Sequence, residues 1–151
     1  AFALLGTFVA QVNGAFCGPA SAVTVLNALG VEQPLHDEVL NQPQYAWYTQ
    51  DNIFSRVPDN VIALDDVLDY GLSLDELATF IAAQPGVNAT HRYGEDLGLD
   101  GFRDVILSAL AQPNTYAIIN FYRKGLDEVG GGHHSPVAAY NAHADSLLVL
   151  D

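Results

Sequence analysis

Apolar residues recur at helical spacing over residues 19–29, at Ala22, Val23, Val25, Leu26 and Leu29. Pro19 suits the first turn of such a helix and Gly30 the position just past its end, so the pattern predicts a buried helix. Ser73, Leu74, Asp75 and Glu76 form a capping-box signature ahead of Leu77, Ala78, Phe80 and Ile81, and Pro85 and Gly86 stop that run, which predicts a second helix. Asp100 is placed to cap a third, carrying Phe102, Val105, Ile106, Ala109 and Leu110 and ending before Pro113. Beyond this point the period changes. Residues 115–121, 135–140 and 146–150 are short segments rich in β-branched and aromatic residues, separated by glycines at 130–132 and by residues 141–145. Helices come first and antiparallel strands last, the order of an α+β protein in which N-terminal helices pack on a C-terminal sheet.

The 151 residues suit one domain, 1–151, with enough chain to bury a core. Half of them are apolar and 15% are charged, which excludes the composition of a disordered chain. Acidic residues outnumber basic ones 18 to 5, for a formal net charge of −13. Four Arg and one Lys cannot line a nucleic-acid groove or hold an anionic membrane surface, so neither is expected as a partner. No apolar run approaches the length of a membrane span, and the N-terminus lacks the basic flank of a signal peptide. The chain starts at Ala1 and contains no Met, from which a mature or excised form is expected. A single cysteine excludes an internal disulfide and a Cys-based zinc cluster, and leaves Cys17 as either buried filler or chemistry.

Cys17 precedes Gly18 and Pro19, at the start of the first predicted helix, where unpaired backbone N–H groups and the helix dipole favour an anion and so a nucleophilic thiolate. His133 follows three glycines and opens a predicted strand. Its neighbour His134 must point to the opposite face, so only one of the two imidazoles belongs to a site. Asp151 ends an apolar strand that lies beside the histidine strand if residues 141–145 make a hairpin; there it could fix the imidazole tautomer. Gln11, six residues before Cys17, could supply a side-chain amide to an oxyanion. Taken singly, each has a plainer reading as core filler, loop histidine, strand-end carboxylate or surface amide. Gly130 to Gly132 lack the Lys-Ser or Lys-Thr of a phosphate loop, and the five histidines have no metal-ligand spacing. Asp65, Asp66, Asp69, Glu95 and Asp96 read as solvated helix faces and turns.

The segment Gln11-Val12-Asn13-Gly14-Ala15-Phe16-Cys17-Gly18-Pro19-Ala20-Ser21, continued by Val25-Leu26-Asn27-Ala28-Leu29, resembles the nucleophile segment of the phytochelatin synthase family, the glutathione γ-glutamylcysteinyltransferases. Gly132-His133-His134-Ser135-Pro136 with Ala139-Tyr140-Asn141 resembles the family's histidine segment, and Asp151 falls eighteen residues after His133, at the interval of its third triad member. Gly71-Leu72-Ser73-Leu74, Phe102-Arg103 and Asn120-Phe121-Tyr122-Arg123 agree more weakly. The resemblance implies a papain-like fold. It implies Cys17 as nucleophile, His133 as base and then acid, Asp151 as the orienting carboxylate, Gln11 as oxyanion donor, and Asn120 and Arg123 near the substrate.

The chain resembles the short prokaryotic type, without a Cys-rich region, for which the resemblance implies release of glycine from glutathione, then chiefly hydrolysis and more slowly transfer to a second glutathione. The expected partners are glutathione and its metal complexes, with a homodimer left open. No protein-bound cofactor is expected; cadmium or zinc would arrive as a glutathione thiolate complex. The sequence leaves the compartment unknown: a soluble protein of a bacterial cytoplasm is expected, or of the periplasm if a targeting segment was removed, and the family pattern implies residues beyond Asp151. Two other readings stay open: another papain-like cysteine peptidase, and a non-catalytic acidic module that binds a peptide or a metal.

Overall fold

A computed structural model of the chain describes residues 2–34 and 46–151. The described elements run α1 (Phe2–Thr7), α2 (Cys17–Leu29), a 3-10 turn (Asn52–Arg56), α3 (Leu64–Tyr70), α4 (Leu74–Ala82), α5 (Gly94–Ala111), β1 (Ala117–Tyr122), a 3-10 turn (Arg123–Leu126), β2 (Gly132–Asn141) and β3 (Ser146–Val149). Helices precede an antiparallel sheet of order β1-β2-β3, the expected α+β arrangement. Among the described residues no helix is long and apolar enough to cross a membrane.

Helix α2 is the axis of the molecule. Every residue from Gly18 to Asn27 is buried, as expected of a helix that is small or apolar all round rather than along one stripe. One side of it, with Ala22, Val23 and Leu26, joins Phe16, Tyr48, Ile53, Val67, Leu77 and Phe80 in the larger core. Val25 packs with Leu4 of α1 and Ala138 of β2 in a smaller core on the sheet side. The helix ends as its sequence predicts, with the Gly30 N–H donating to the carbonyls of Leu26 and Asn27 at 3.2 and 3.3 Å. The predicted capping box is also present: Ser73 Oγ accepts from the Glu76 N–H, and the Glu76 carboxylate accepts from the Ser73 N–H at 2.8 Å.

Three elements depart from the sequence reading. Helix α5 begins at Gly94, not at Asp100, with a break at Gly98 (φ 62°, ψ 179°) between a short first piece and the main helix. The Asp100 carboxylate pairs with Arg103 at 2.7 Å instead of capping. Glu95 and Asp96 occupy the first turn, where carboxylates suit the helix dipole. Helices α1 and α3, neither of them predicted, bury only Leu4 and Val67 respectively and are too short to show a period.

The hairpin of β2 and β3 forms across residues 141–145 as predicted, with a register shift between Val137 and Ala139 that adds a bulge to the central strand. Leu150 continues the pairing past β3 by donating its N–H to the Pro136 carbonyl at 2.9 Å, which carries Asp151 back toward the start of β2. Arg103 of α5 ties this hairpin to the helices through Asp145, with Nε to Oδ1 at 2.9 Å and a terminal nitrogen to Oδ2 at 2.7 Å. That guanidinium and the Tyr140 hydroxyl hold the Asp145 carboxyl down at about 2.

Gly71 joins α3 to α4 at φ 74°, ψ −152°, a region open essentially only to glycine, and an added Cβ would lie 3.2 Å from the Ala15 carbonyl oxygen. Gly71→Ala should therefore lower the free energy of unfolding by roughly 1–3 kcal/mol in urea titration. Gly14→Ala, where an added Cβ meets no atom within 4 Å, should leave the midpoint almost unmoved. Equal effects of the two would show that the backbone at Gly71 is not specially constrained.

Candidate active site

Cys17 is the first residue of α2. Phe16 at the cap supplies no side-chain acceptor, and the first turn closes only at Ala20, whose N–H donates to the Phe16 carbonyl at 2.9 Å. The N–H groups of Cys17 and Gly18 precede that closure, so helix geometry leaves them without intrahelical acceptors, beside the thiol. Gly18 also lets α2 approach the chain at Leu72: a Cβ there would sit 3.0 Å from Leu72 Cδ1.

His133 stands at the start of β2, 5% exposed, with its ring edge-on to Phe121 at 5.5 Å between centroids. Its Nε2 lies 2.5 Å from Asp151 Oδ1, so the carboxylate holds the Nε2–H tautomer and leaves Nδ1 as the proton acceptor. Arg123 reaches the same pair, with one terminal nitrogen 3.0 Å from Asp151 Oδ2 and 2.8 Å from His133 Nε2, and the other 3.0 Å from Glu128. One ring nitrogen cannot donate to a carboxylate and accept from a guanidinium at once. Asp151 can accept from both, so the contact between Arg123 and the ring is the close approach of two donors to a shared acceptor.

His134 faces the other way. Cross-strand pairing sets Phe121 opposite His133 and Asn120 opposite His134, so the two imidazoles belong to opposite faces, as strand alternation requires. His134 is 2% exposed; its Nε2 lies 2.8 Å from the Leu72 carbonyl, to which it donates, and the Asn120 amide nitrogen stands over the ring, 3.0 Å from Nε2 and 3.3 Å from Nδ1. Burial pushes this imidazole below its ordinary value, against a partly compensating bond to Leu72 and with a further downward push from His133.

Cys17, His133, Asp151 and Gln11 line one open cleft of about 90 Å³, together with Phe8, Ala20, Ser21, Thr24, His134 and Leu150. Cys17, Ala20 and Thr24 lie along one face of α2, which forms the floor. One N–H of the Gln11 amide is spent on the Asn13 carbonyl at 2.6 Å, leaving the second free to donate. Asn120 and Arg123 are not among the residues lining the cleft; they stand against His134 and against the His133-Asp151 pair respectively. Ser21 and Leu72 escape sequence reading, because each acts through a backbone carbonyl: the Ser21 hydroxyl donates to that of His134 at 3.0 Å, and Leu72 offers its own to the His134 ring. Among the described residues no three His, Cys, Asp or Glu side chains gather to hold a metal ion.

Fold and cleft thus define an α+β protein with a thiol at a helix start and an imidazole-carboxylate pair on the facing sheet. The phytochelatin synthase family model matches residues 1–151, and the chain belongs to that family. Similar curated proteins include a glutathione gamma-glutamylcysteinyltransferase of Schizosaccharomyces pombe, 29% identical over 150 residues that cover 99% of this chain and 34% of the relative. Glutathione gamma-glutamylcysteinyltransferase 2 of Arabidopsis thaliana is also 29% identical, over 99% of this chain and 31% of its own length. The chain spans about a third of the length of these relatives.

The buried His134 has a stability consequence of definite sign. Its native value lies below the ordinary 6.5, so as pH falls through that value the unfolded chain takes up a proton first and the native state loses stability. Between pH 7.5 and 5.5, unfolding free energy should fall more steeply in the parent protein than in His134→Phe, by up to about 1.4 kcal/mol per pH unit. Parallel pH profiles in urea titrations would remove His134 as the source.

Proposed function

We propose that this chain carries the acyl-transfer chemistry of a glutathione-directed cysteine enzyme on a papain-like fold. The observation that carries the reading is the joint lining of one cleft by Cys17 and by the His133-Asp151 pair in a chain of this family. Asp151 on Nε2 leaves Nδ1 of His133 to take the thiol proton. The Cys17 thiolate attacks the Cys-Gly carbonyl of glutathione, and the oxyanion is met by the Cys17 N–H and the free N–H of Gln11. His133 returns the proton to the departing amine of glycine, leaving a γ-glutamylcysteinyl thioester on Cys17. Water, activated by the same imidazole, then gives γ-glutamylcysteine; the amine of a second glutathione gives phytochelatin.

Hydrolysis is the expected main outcome. Transfer needs an acceptor held beside the thioester, because proximity alone lets a dilute peptide compete with water. Four of the five cations are accounted for in ion pairs or on backbone carbonyls, and the net charge of −13 works against anionic glutathione at low salt. Cadmium or zinc would enter as the thiolate complex of the substrate. Arg123 and Asn120 serve in this reading by holding the two histidines in place rather than by gripping the γ-glutamyl group.

Incubation with glutathione should leave a γ-glutamylcysteinyl adduct on the protein, detectable by mass spectrometry and absent in Cys17→Ser, whose glycine release should be lost. Continued glycine release by Cys17→Ser would sink the reading. Gln11→Ala should reduce turnover about 100- to 1000-fold with a much smaller change in KM. A raised KM at unchanged turnover would make Gln11 a binding residue instead. Product analysis over a range of glutathione concentrations should give glycine and γ-glutamylcysteine as chief products even with cadmium present; dominance of longer peptides would reverse the hydrolytic emphasis.

A further inference from the structure

We propose that Gln50 is a positioning residue for the oxyanion site, holding the backbone on both sides of Gln11 at a fixed distance from Cys17. The inference rests on Gln11 being an oxyanion donor, as set out above. Residues 8–16 form an irregular stretch between α1 and α2, with no strand pairing to fix them. Their backbone is held by side chains. Gln50 Oε1 accepts from the Val12 N–H at 3.0 Å, and Gln50 Nε2 donates to the Ala10 carbonyl at 2.9 Å. The two bonds flank Gln11, and Gln50 itself is buried at 8% exposure.

Gln50 is in turn fixed to the nucleophile helix. Asn27, on α2, pairs its amide with both backbone groups of Tyr48, donating to the carbonyl and accepting from the N–H, each at 2.9 Å. Asn52 closes the turn between them, accepting from the Thr49 N–H at 2.8 Å and donating to the Trp47 carbonyl at 2.9 Å. A continuous set of short bonds therefore runs from the helix that begins with Cys17, through Asn27, residues 47–52 and Gln50, to the chain on either side of Gln11. The bonds thus join the chain on either side of Gln11 to Asn27, in the helix that begins with Cys17 and nearly three turns along it. An oxyanion site works only if its donors stand ready at the place where charge develops, and misplacement by about 1 Å costs up to about 100-fold in rate. A side-chain amide suits the task because it donates and accepts at once. A methionine of similar length does neither.

The test is a double-mutant cycle on glycine release from glutathione, comparing the parent, Gln11→Ala, Gln50→Met and the double variant, each rate normalised to the thioester burst. Gln50→Met alone should lower kcat about 10- to 100-fold with KM changed less than about threefold. In the Gln11→Ala background the same change should cost less than about threefold, because the group it positions is gone. Gln50→Glu keeps the acceptor for Val12 but turns a carboxylate oxygen toward the Ala10 carbonyl, and it replaces Gln50→Met in the cycle if that variant does not fold. Full multiplicative losses, with Gln11→Ala itself impaired, would overturn the role of Gln50 and leave the Gln11 assignment standing. An unimpaired Gln11→Ala would overturn both.

Discussion

The cleft depends on how β2 is seated against α2. At the centre of that contact the Ser21 hydroxyl donates to the His134 carbonyl at 3.0 Å, a bond between residues 113 apart in sequence. Ser21 lies one helical turn beyond Cys17, and His134 lies next to His133, so this buried bond relates the thiol to the imidazole within one turn and one residue. Its net contribution is about 1 kcal/mol, small beside the burial of Val25, Leu4 and Ala138 on the sheet side of α2. Its importance is directional: apolar packing tolerates sliding of a strand over a helix, whereas a hydroxyl aimed at one carbonyl fixes the register. Thr24, one turn further, does the same for the other wall, taking the Val9 N–H at 3.3 Å and offering its carbonyl to the Thr7 hydroxyl at 2.9 Å.

Two adjacent histidines are given opposite tasks by nothing more than strand alternation. His133 has a carboxylate on one ring nitrogen, and among the described residues no side chain engages the other, an arrangement suited to taking and returning a proton. His134 is enclosed, neutral and bonded to Leu72, whose side chain packs against Gly18 at the start of α2. It serves as a strut between the sheet and the turn before α4. Keeping this second imidazole uncharged also matters to the first, since two cationic rings on neighbouring residues would repel each other.

Much of this was legible in the sequence where regular structure carries it. The periodicity of α2, the Ser73 capping box and the two turn-separated strands are local signals, and the structure forms all three. The grouping of Cys17, His133, Asp151 and Gln11 around one cleft was legible only through the family resemblance, since spacing along a chain does not fix distance across a fold. The start of α5 was misread because Gly98 interrupts it, and a glycine break carries no sign of helix on its far side. Ser21, Leu72 and Gln50 were invisible for a different reason. Ser21 and Gln50 bind backbone groups distant in sequence and Leu72 offers its own backbone carbonyl to a distant ring, and a bond with backbone on one side leaves no pattern of residue types there.

The reliance on amides rather than charges follows from composition. With five cations against eighteen acids, ion pairs cannot be the general means of fixing irregular segments, and taking an ion pair into the interior costs several kcal/mol in desolvation for each partner. The ion pairs that Arg103 and Arg123 make accordingly lie at the periphery, where each guanidinium keeps about a quarter of its side chain in solvent. Inside, Asn27 and Gln50 are buried at 6% and 8% exposure and bond to both a backbone carbonyl and a backbone N–H. An amide carries a donor and an acceptor on one planar group, so it can stand in for a strand partner and satisfy both faces of a peptide at once. Its desolvation cost is that of a neutral group and is recovered by the two bonds it makes. A chain this poor in cations can therefore hold an irregular loop to a helix in its interior, and reserve its charged carboxylate for the imidazole, where a negative charge has chemistry to do.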